Sequence, residues 1–475
     1  MFPIADDRRP LAPLPPPPGR LLLQGGAIVS LDEAVGDLEQ GDILIEGGVI
    51  AAIAPSLPGA GAEVIDARGM IVTPGFVDCH RHAWEAQLRH LNPNSSNLMD
   101  YCCATHFTFA PHYRPLDIYA ATLLTAVGAI DAGITTLVDN AHNARTDDHS
   151  LAAVEAWLDA GVRAIHAPGP PLTGAWDEAD WPSSRLAAVR ERLAQDASGL
   201  VTLGVMSQFD PAVFALARTL NIPIITEVNT PEMAEVIRRL DAQDLLGPDN
   251  IFNHITGLPP DALAILRDRG VGVNVCPRSD AQYGIGDGGM GAFQAALDAG
   301  LKPGLSIDNE TSYGGDMFGE MRTEFFLQRA MTGRDRFAGK PDIPPPVTVR
   351  QMLEAATLSG ARCAGLGRRT GSLTPGKAAD LIAIRGGDLN LFPLNNALGA
   401  VVHGAERANI DTVLVAGRVR KRAGSVVGLD TDRLRALVTA SRDHLLAAYD
   451  YRPPLFCETH DDLADAPFEL SRYWR

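Results

Sequence analysis

The chain has 475 residues, 46% hydrophobic and 21% charged, so it can bury a large core and is not a disordered polymer. A formal charge of -17 excludes the basic surface that nucleic acid or an anionic membrane requires, and points to a small-molecule partner. No apolar run reaches the roughly 18 residues that span a bilayer. With no signal-like start, a cytoplasmic enzyme is expected, and a homo-oligomer, a dimer, is the expected assembly.

In chain order, residues 1–19 end in PLPPPPG and read as an extended arm. Residues 20–70 carry short β-prone runs between Gly and Asp turns, and runs of the same character return over 371–428. Isolated two-stranded pieces are unstable, so the two segments are expected to pair as one small β-sandwich. Residues 429–475 read as a helix, Thr431 to Tyr449, and a tail.

Between them, over 71–370, eight apolar strand candidates alternate with helical stretches such as SRLAAVRERLAQ. They are Ile71 to Val77, Thr135 to Asp139, Val162 to Ile165, Val201 to Val205, Ile222 to Val228, Ile251 to His254, Val271 to Val275 and Gly304 to Ile307. Eight strands alternating with helices over about 300 residues predict an α/β fold, a (β/α)8 TIM barrel with its site at the C-terminal strand ends. Six scattered cysteines show no disulfide framework and are expected to be reduced.

The first barrel strand runs into TPGFVDCHRHAWEAQLR. Residues i and i+2 of a strand share a face, so His80 and His82 can present both imidazoles to one ion. Three later strands end in groups that have no packing role there: Glu227 after IPIIT, His254 after IFN and Asp308 after GLSI. Trp84, Gln87, His142 and Arg278 follow strand ends and are candidates for substrate contact. Arg278 could hold an anionic group, or pair with a neighbouring acid.

These motifs, together with CPRSD and the closing GSLTPGKAADLIAI and VLVAGRV, resemble the amidohydrolase superfamily over nearly the whole chain. The similar branch contains cytosine deaminase, guanine deaminase and the chlorotriazine hydrolases. The resemblance implies one divalent metal ion, zinc first and iron or manganese as alternatives, held by His80, His82, His254 and Asp308. It also implies that Asp308 accepts a proton from the attacking water. The fifth ligand departs from the family: a match anchored on Pro223 sets Glu227 against its strand-five His and Thr230 against its acid. A shift of one residue would set Thr226 and Asn229 there instead. The Pro-anchored register is preferred, because a carboxylate ligates such metals and a threonine does not.

The implied function is metal-dependent hydrolysis of a C–N bond, of deaminase or cyclic amidohydrolase type, in a small cyclic or heteroaromatic compound. Asp308, His254 and Glu227 are the candidate catalytic groups. The rival readings are a metal-dependent lyase or decarboxylase on the same barrel, a barrel kept only for binding, and a metal-independent enzyme with Glu227 as base.

Overall fold

A computed structural model describes residues 9–12, 19–288, 291–456, 463, 469 and 470. Most of the Pro-rich arm, along with Cys457 and Trp474, lies outside them. The first segment forms β1 (Arg20–Ile28), β2 (Leu38–Glu46), β3 (Val49–Ala54), β4 (Glu63–Asp66) and β5 (Met70–Pro74). The parallel strands are β6 (Phe76–Arg81), β7 (Ile134–Ala141), β8 (Arg163–Pro168), β9 (Val201–Leu203), β10 (Val205–Met206), β11 (Ile224–Val228), β12 (Asn250–His254), β13 (Gly272–Val275) and β14 (Gly304–Leu305). The chain returns through β15 (Leu381–Arg385), β16 (Ile410–Val415), β17 (Arg418–Arg422) and β18 (Ser425–Val426).

Both ends of the chain enter one nine-stranded sheet in the order β18-β17-β16-β15-β5-β1-β2-β3, with β4 beside β1. The seam is antiparallel pairing of β15 with β5, from Leu381 against Pro74 to Arg385 against Met70. Its side chains form a separate apolar core that includes Leu21, Ile43, Ile65, Leu373, Leu381 and Leu414.

The stretch Ile71 to Val77, expected to be one barrel strand, divides at Gly75. Residues up to Pro74 belong to the nine-stranded sheet, and the strand that carries the histidines starts at Phe76. A Cβ at Gly75 would lie 2.2 Å from the Thr135 side chain, so only glycine lets the chain pass β7 that closely. Alternating hydrophobicity cannot reveal this break, because the strands on both sides of it are buried.

The parallel strands lie in two sheets, β6-β7-β8-β9 and β10-β11-β12-β13-β14, with helices between successive strands. Only Gly204 separates β9 from β10; its N–H donates to His166 O at 2.9 Å, while Val205 N–H donates to Pro223 O at 3.0 Å. At the other edges, Asp308 N–H donates to His80 O at 2.9 Å and His82 N–H to Asp308 O at 2.7 Å. The C-terminal helix, Thr431–Ala448, packs on the helix Pro115–Asp131.

A buried ion pair joins the parallel strands to the nine-stranded sheet. Arg163 on β8 donates through Nε at 2.9 Å and Nη2 at 3.1 Å to the two carboxylate oxygens of Asp380. Asp380 also accepts from Ala416 N–H at 2.6 Å, and its carbonyl accepts from Gly75 N–H at 3.1 Å. Asp380→Ala would leave the Arg163 guanidinium buried without a counter-charge, an expected loss of about 3–5 kcal/mol. Asp380→Asn should cost less. Chemical denaturation of the two variants checks this, and equal stability with wild type would refute it.

Candidate metal centre and active site

Strand ends of opposite sheets bring five side chains together. The alternation of β6 turns His80 and His82 to one side, and their Nε2 atoms lie 3.1 and 3.0 Å from Asp308 Oδ1. Glu227 on β11 places Oε2 at 3.6 Å from His80 Nε2 and 3.3 Å from His254 Nε2. Of the two strand-five registers, the structure turns Glu227 and not Thr226 to the histidines. Thr226 faces away, its hydroxyl donating to Ser207 O at 2.8 Å.

Two of these residues sit in strained backbone. His254 and Asp308 have φ of 66° and 73°, the left-handed region that non-glycine residues avoid. Ile255, β-branched, follows at φ 50°. Such strain persists only where the surroundings over-determine it, and here it turns side chains at strand ends inward.

Neighbours fix the rings. His82 Nδ1 lies 3.1 Å from Asn140 O, which as a carbonyl accepts a hydrogen bond from it, so that Nε2 is the nitrogen turned to Asp308. Asp280 Oδ1 lies 2.7 Å from His254 Nδ1, and Ser279 Oγ donates to Asp308 Oδ2 at 2.5 Å. Beyond these close contacts with one another and with the facing imidazoles, His80 Nε2, both Glu227 carboxylate oxygens and Asp308 Oδ1 are buried without a hydrogen-bond partner among the described residues.

The electrostatics match this geometry. Burial opposes ionisation of Glu227, but His80 and His254 outweigh it and hold the carboxyl down to about 2. Burial likewise opposes ionisation of Asp308, and His80 and His82 hold it well below the usual carboxylate range. Burial disfavours a charged His82, yet the hydrogen bond and charge of Asp308 raise it to about 9. Two buried anions thus demand positive charge at their centre. Imidazole nitrogens and carboxylate oxygens are the donor set of a divalent ion, and His80, His82 and Asp308 present ligand atoms within 4.8 Å of one another. The residues fit such an ion.

A cavity of about 360 Å³ opens over this cluster. His82, Glu227, His254 and Asp308 form one part of its wall, and Tyr101, His106 and His142 another. Burial pulls His106 and His142 well below the ordinary imidazole range, so they are neutral at pH 7. Leu98, Leu172 and Met233 supply apolar surface, and Gln208 and Asn229 the remaining polarity.

Of the residues expected to touch substrate, His142 lines the cavity, whereas Trp84, Gln87 and Arg278 are not among its lining residues. Trp84 stands behind the wall, its ring 5.1 Å from His106 and 5.9 Å from His142. Gln87 turns to the C-terminal helix, where it donates to Ser441 Oγ at 3.3 Å. Arg278 does not hold an anionic group in the cavity, because Glu320 takes its Nε at 2.6 Å and its guanidinium lies 4.7 Å over the Tyr313 ring.

Tyr101, His106 and Gln208 carry no signal in the sequence, and Asn229 enters there only through the shifted register; they stand on connecting segments or just past strand ends, where no periodicity marks them. Glu85 is a further buried group beside the site, accepting from the Tyr101 hydroxyl at 2.6 Å. Burial pushes its carboxyl from 4.5 up to about 8, against the pull of His82 and the Tyr101 hydroxyl. A carboxyl whose folded pKa exceeds its unfolded one loses folding stability as pH rises through that window. Glu85→Gln should remove this slope, so that the metal-free variant gains on metal-free wild type between about 4.5 and about 8. Parallel stability–pH curves for the two proteins would refute the assignment.

The amidohydrolase family model matches residues 71–420. The chain is 26% identical over 452 residues to a 5-methylthioadenosine/S-adenosylhomocysteine deaminase of Pelotomaculum thermopropionicum, covering 88% of this chain and 96% of that protein. It is 25% identical to a 5'-deoxyadenosine deaminase of Methanosarcina acetivorans, covering 90% and 98%. Among solved structures, a zinc-bound adenosine deaminase of Xanthomonas campestris superposes with a TM-score of 0.75 at 22% identity, covering 91% and 100%. An atrazine chlorohydrolase of Arthrobacter aurescens in complex with zinc does so at 0.74 and 21%, covering 89% and 100%. The chain belongs to the amidohydrolase family and is a hydrolase of carbon–nitrogen bonds.

Proposed function

We propose that the protein deaminates a small amino-substituted heteroaromatic compound with one zinc ion held by His80, His82, Glu227, His254 and Asp308. The observation that carries this reading is the convergence of those five side chains, with four buried atoms that meet only groups of the same cluster, beside a cavity of about 360 Å³. The two sheets are read as one closed (β/α)8 barrel, with the nine-stranded sheet as its sandwich-like companion. The single-residue gap at Gly204 and the backbone bonds between His80, His82 and Asp308 support that closure. No helix among the described residues is long and apolar enough to cross a membrane.

A divalent ion in this cluster supplies Lewis acidity and brings the pKa of water toward neutrality. Asp308 takes the proton from the attacking water, its carboxylate oriented through Oδ2 by the Ser279 hydroxyl. Asp280 fixes the His254 ring through Nδ1, so that Nε2 is the nitrogen turned to the cluster. The departing nitrogen needs a proton, which Asp308 returns, since Glu227 is held ionised down to about 2. Thr230 stands where the family's strand-five acid would, so no acid at that position can share this work.

The test is ammonia release by zinc-loaded protein from aminopurine nucleosides, aminopyrimidines and aminotriazines in oxygen-18 water. One labelled oxygen per product is expected. Product without solvent oxygen would replace hydrolysis by a lyase reaction, and no turnover across the panel would overturn the substrate class.

A further inference from the structure

The cavity combines two features that specify its ligand more closely than the reaction does. First, among the described residues, no lysine or arginine lines it, and its only charged walls are Glu227 and Asp308 with the imidazoles that pair with them. Away from the metal cluster, an anionic substituent would find no side-chain counter-charge there, and at the cluster it would face two carboxylates.

Second, two carboxamides, Gln208 and Asn229, line the cavity without a side-chain hydrogen-bond partner among the described residues. They follow the ends of adjacent strands: β10 pairs with β11 with Met206 against Ile225, Ser207 N–H still donates to Ile225 O at 2.9 Å, and Gln208 stands in the turn just beyond. Asn229 follows two residues after Glu227, one residue past the end of β11, and lines the cavity.

The backbone beside Gln208 is strained. Phe209 has φ 59°, a costly conformation for an aromatic residue, and its ring packs edge-on against buried Phe252 with centroids 5.9 Å apart. Asp210 N–H donates to Ser207 Oγ at 3.2 Å, and the Asp210 carboxylate caps the next helix by accepting from Ala212 N–H. The turn is therefore held from both sides, and Gln208 is the residue that it leaves facing the cavity.

We infer that Gln208 and Asn229 determine specificity by reading the hydrogen-bonding edge of an uncharged planar heterocycle, a lactam or amidine edge that offers a donor beside an acceptor. A primary carboxamide carries both a donor and an acceptor, so it matches such an edge in either sense. The rings of His106, His142 and Tyr101, inclined to one another by 49° and 83°, supply aromatic edges and faces for the heterocycle to pack against. This deepens the deaminase reading and rests on its placement of the substrate over the metal cluster.

The experiment is calorimetric binding of 2-quinolone, a planar lactam, and of N-methyl-2-quinolone, whose donor is blocked, to zinc-loaded protein. Wild type should prefer the lactam by about tenfold or more, the penalty for leaving polar groups unpaired in a site built to pair them. In Gln208→Leu and Asn229→Leu that preference should fall toward unity, with metal content unchanged and both proteins folded, because neither side chain has a partner to lose. Equal binding of the two probes to wild type, binding of neither, or a preference that survives in both variants would overturn the inference. The oxygen-18 assay judges the reaction separately: a lactam preference without turnover removes the deaminase reading, and turnover without the preference removes this one.

Discussion

Replacing His80 or His82 with alanine should strip the divalent ion and, with it, the activity, by about a thousandfold or more if the ion is what activates water. Each ring offers Nε2 to the centre, and each Nε2 lies about as close to Asp308 Oδ1 as a hydrogen bond would place it. Removing one ring also leaves Asp308 and Glu227 with less positive charge between them, so any residual ion should be held weakly. The fold should persist, because the strand itself is paired through its backbone with β7 and with Asp308. Metal analysis and circular dichroism check both halves of the expectation. Stoichiometric metal in the double variant would show that the ion, if any, lies elsewhere.

Glu227 carries the second large effect. Glu227→Gln removes an anion that His80 and His254 hold ionised down to about 2, so metal affinity should fall by at least the 10- to 100-fold typical of losing a supporting group around a metal site. Whatever ion remains faces one negative charge fewer and is more electrophilic, so the activity profile should move to lower pH. Glu227→His should recover the ion, since it restores the five-ligand set of the family with a neutral donor. Occupancy unchanged in both variants would take Glu227 out of the centre and leave it as a buried partner of the two histidines.

These expectations differ in how far the sequence alone supports them. The histidine pair was legible because a strand has an exact period of two, and His254 and Asp308 because polar groups end otherwise apolar strands. Glu227 could be chosen over Thr226 on ligand chemistry, and the structure turns it inward. The division at Gly75 was not legible, since it depends on the approach of Thr135 from a strand 60 residues away. Arg278 stays open in the sequence between an anion and a neighbouring acid for a related reason: the acid that takes its charge, Glu320, lies on a helix that begins only at Met317. Gln87 turned away from the cavity because the C-terminal helix, over 350 residues later, supplies Ser441. The cavity wall was missed because its residues share a place in space and no spacing in sequence.

The seam between β5 and β15 has a consequence for how the protein is made. Strands β1 to β5 leave the ribosome early, but their partner strand begins at Leu381, roughly 300 residues later, which at ordinary synthesis speeds means about 15–60 s. Through that interval the β5 edge is an open ladder of backbone donors and acceptors, a template for pairing with any strand that reaches it. The histidine strand begins two residues beyond that edge, so the centre is assembled on a segment whose own anchor arrives last. A nascent chain of this kind depends on shielding of one particular edge, and shortening the wait by circular permutation, with β15 to β18 placed ahead of β1, should raise the yield of folded protein without altering the finished structure.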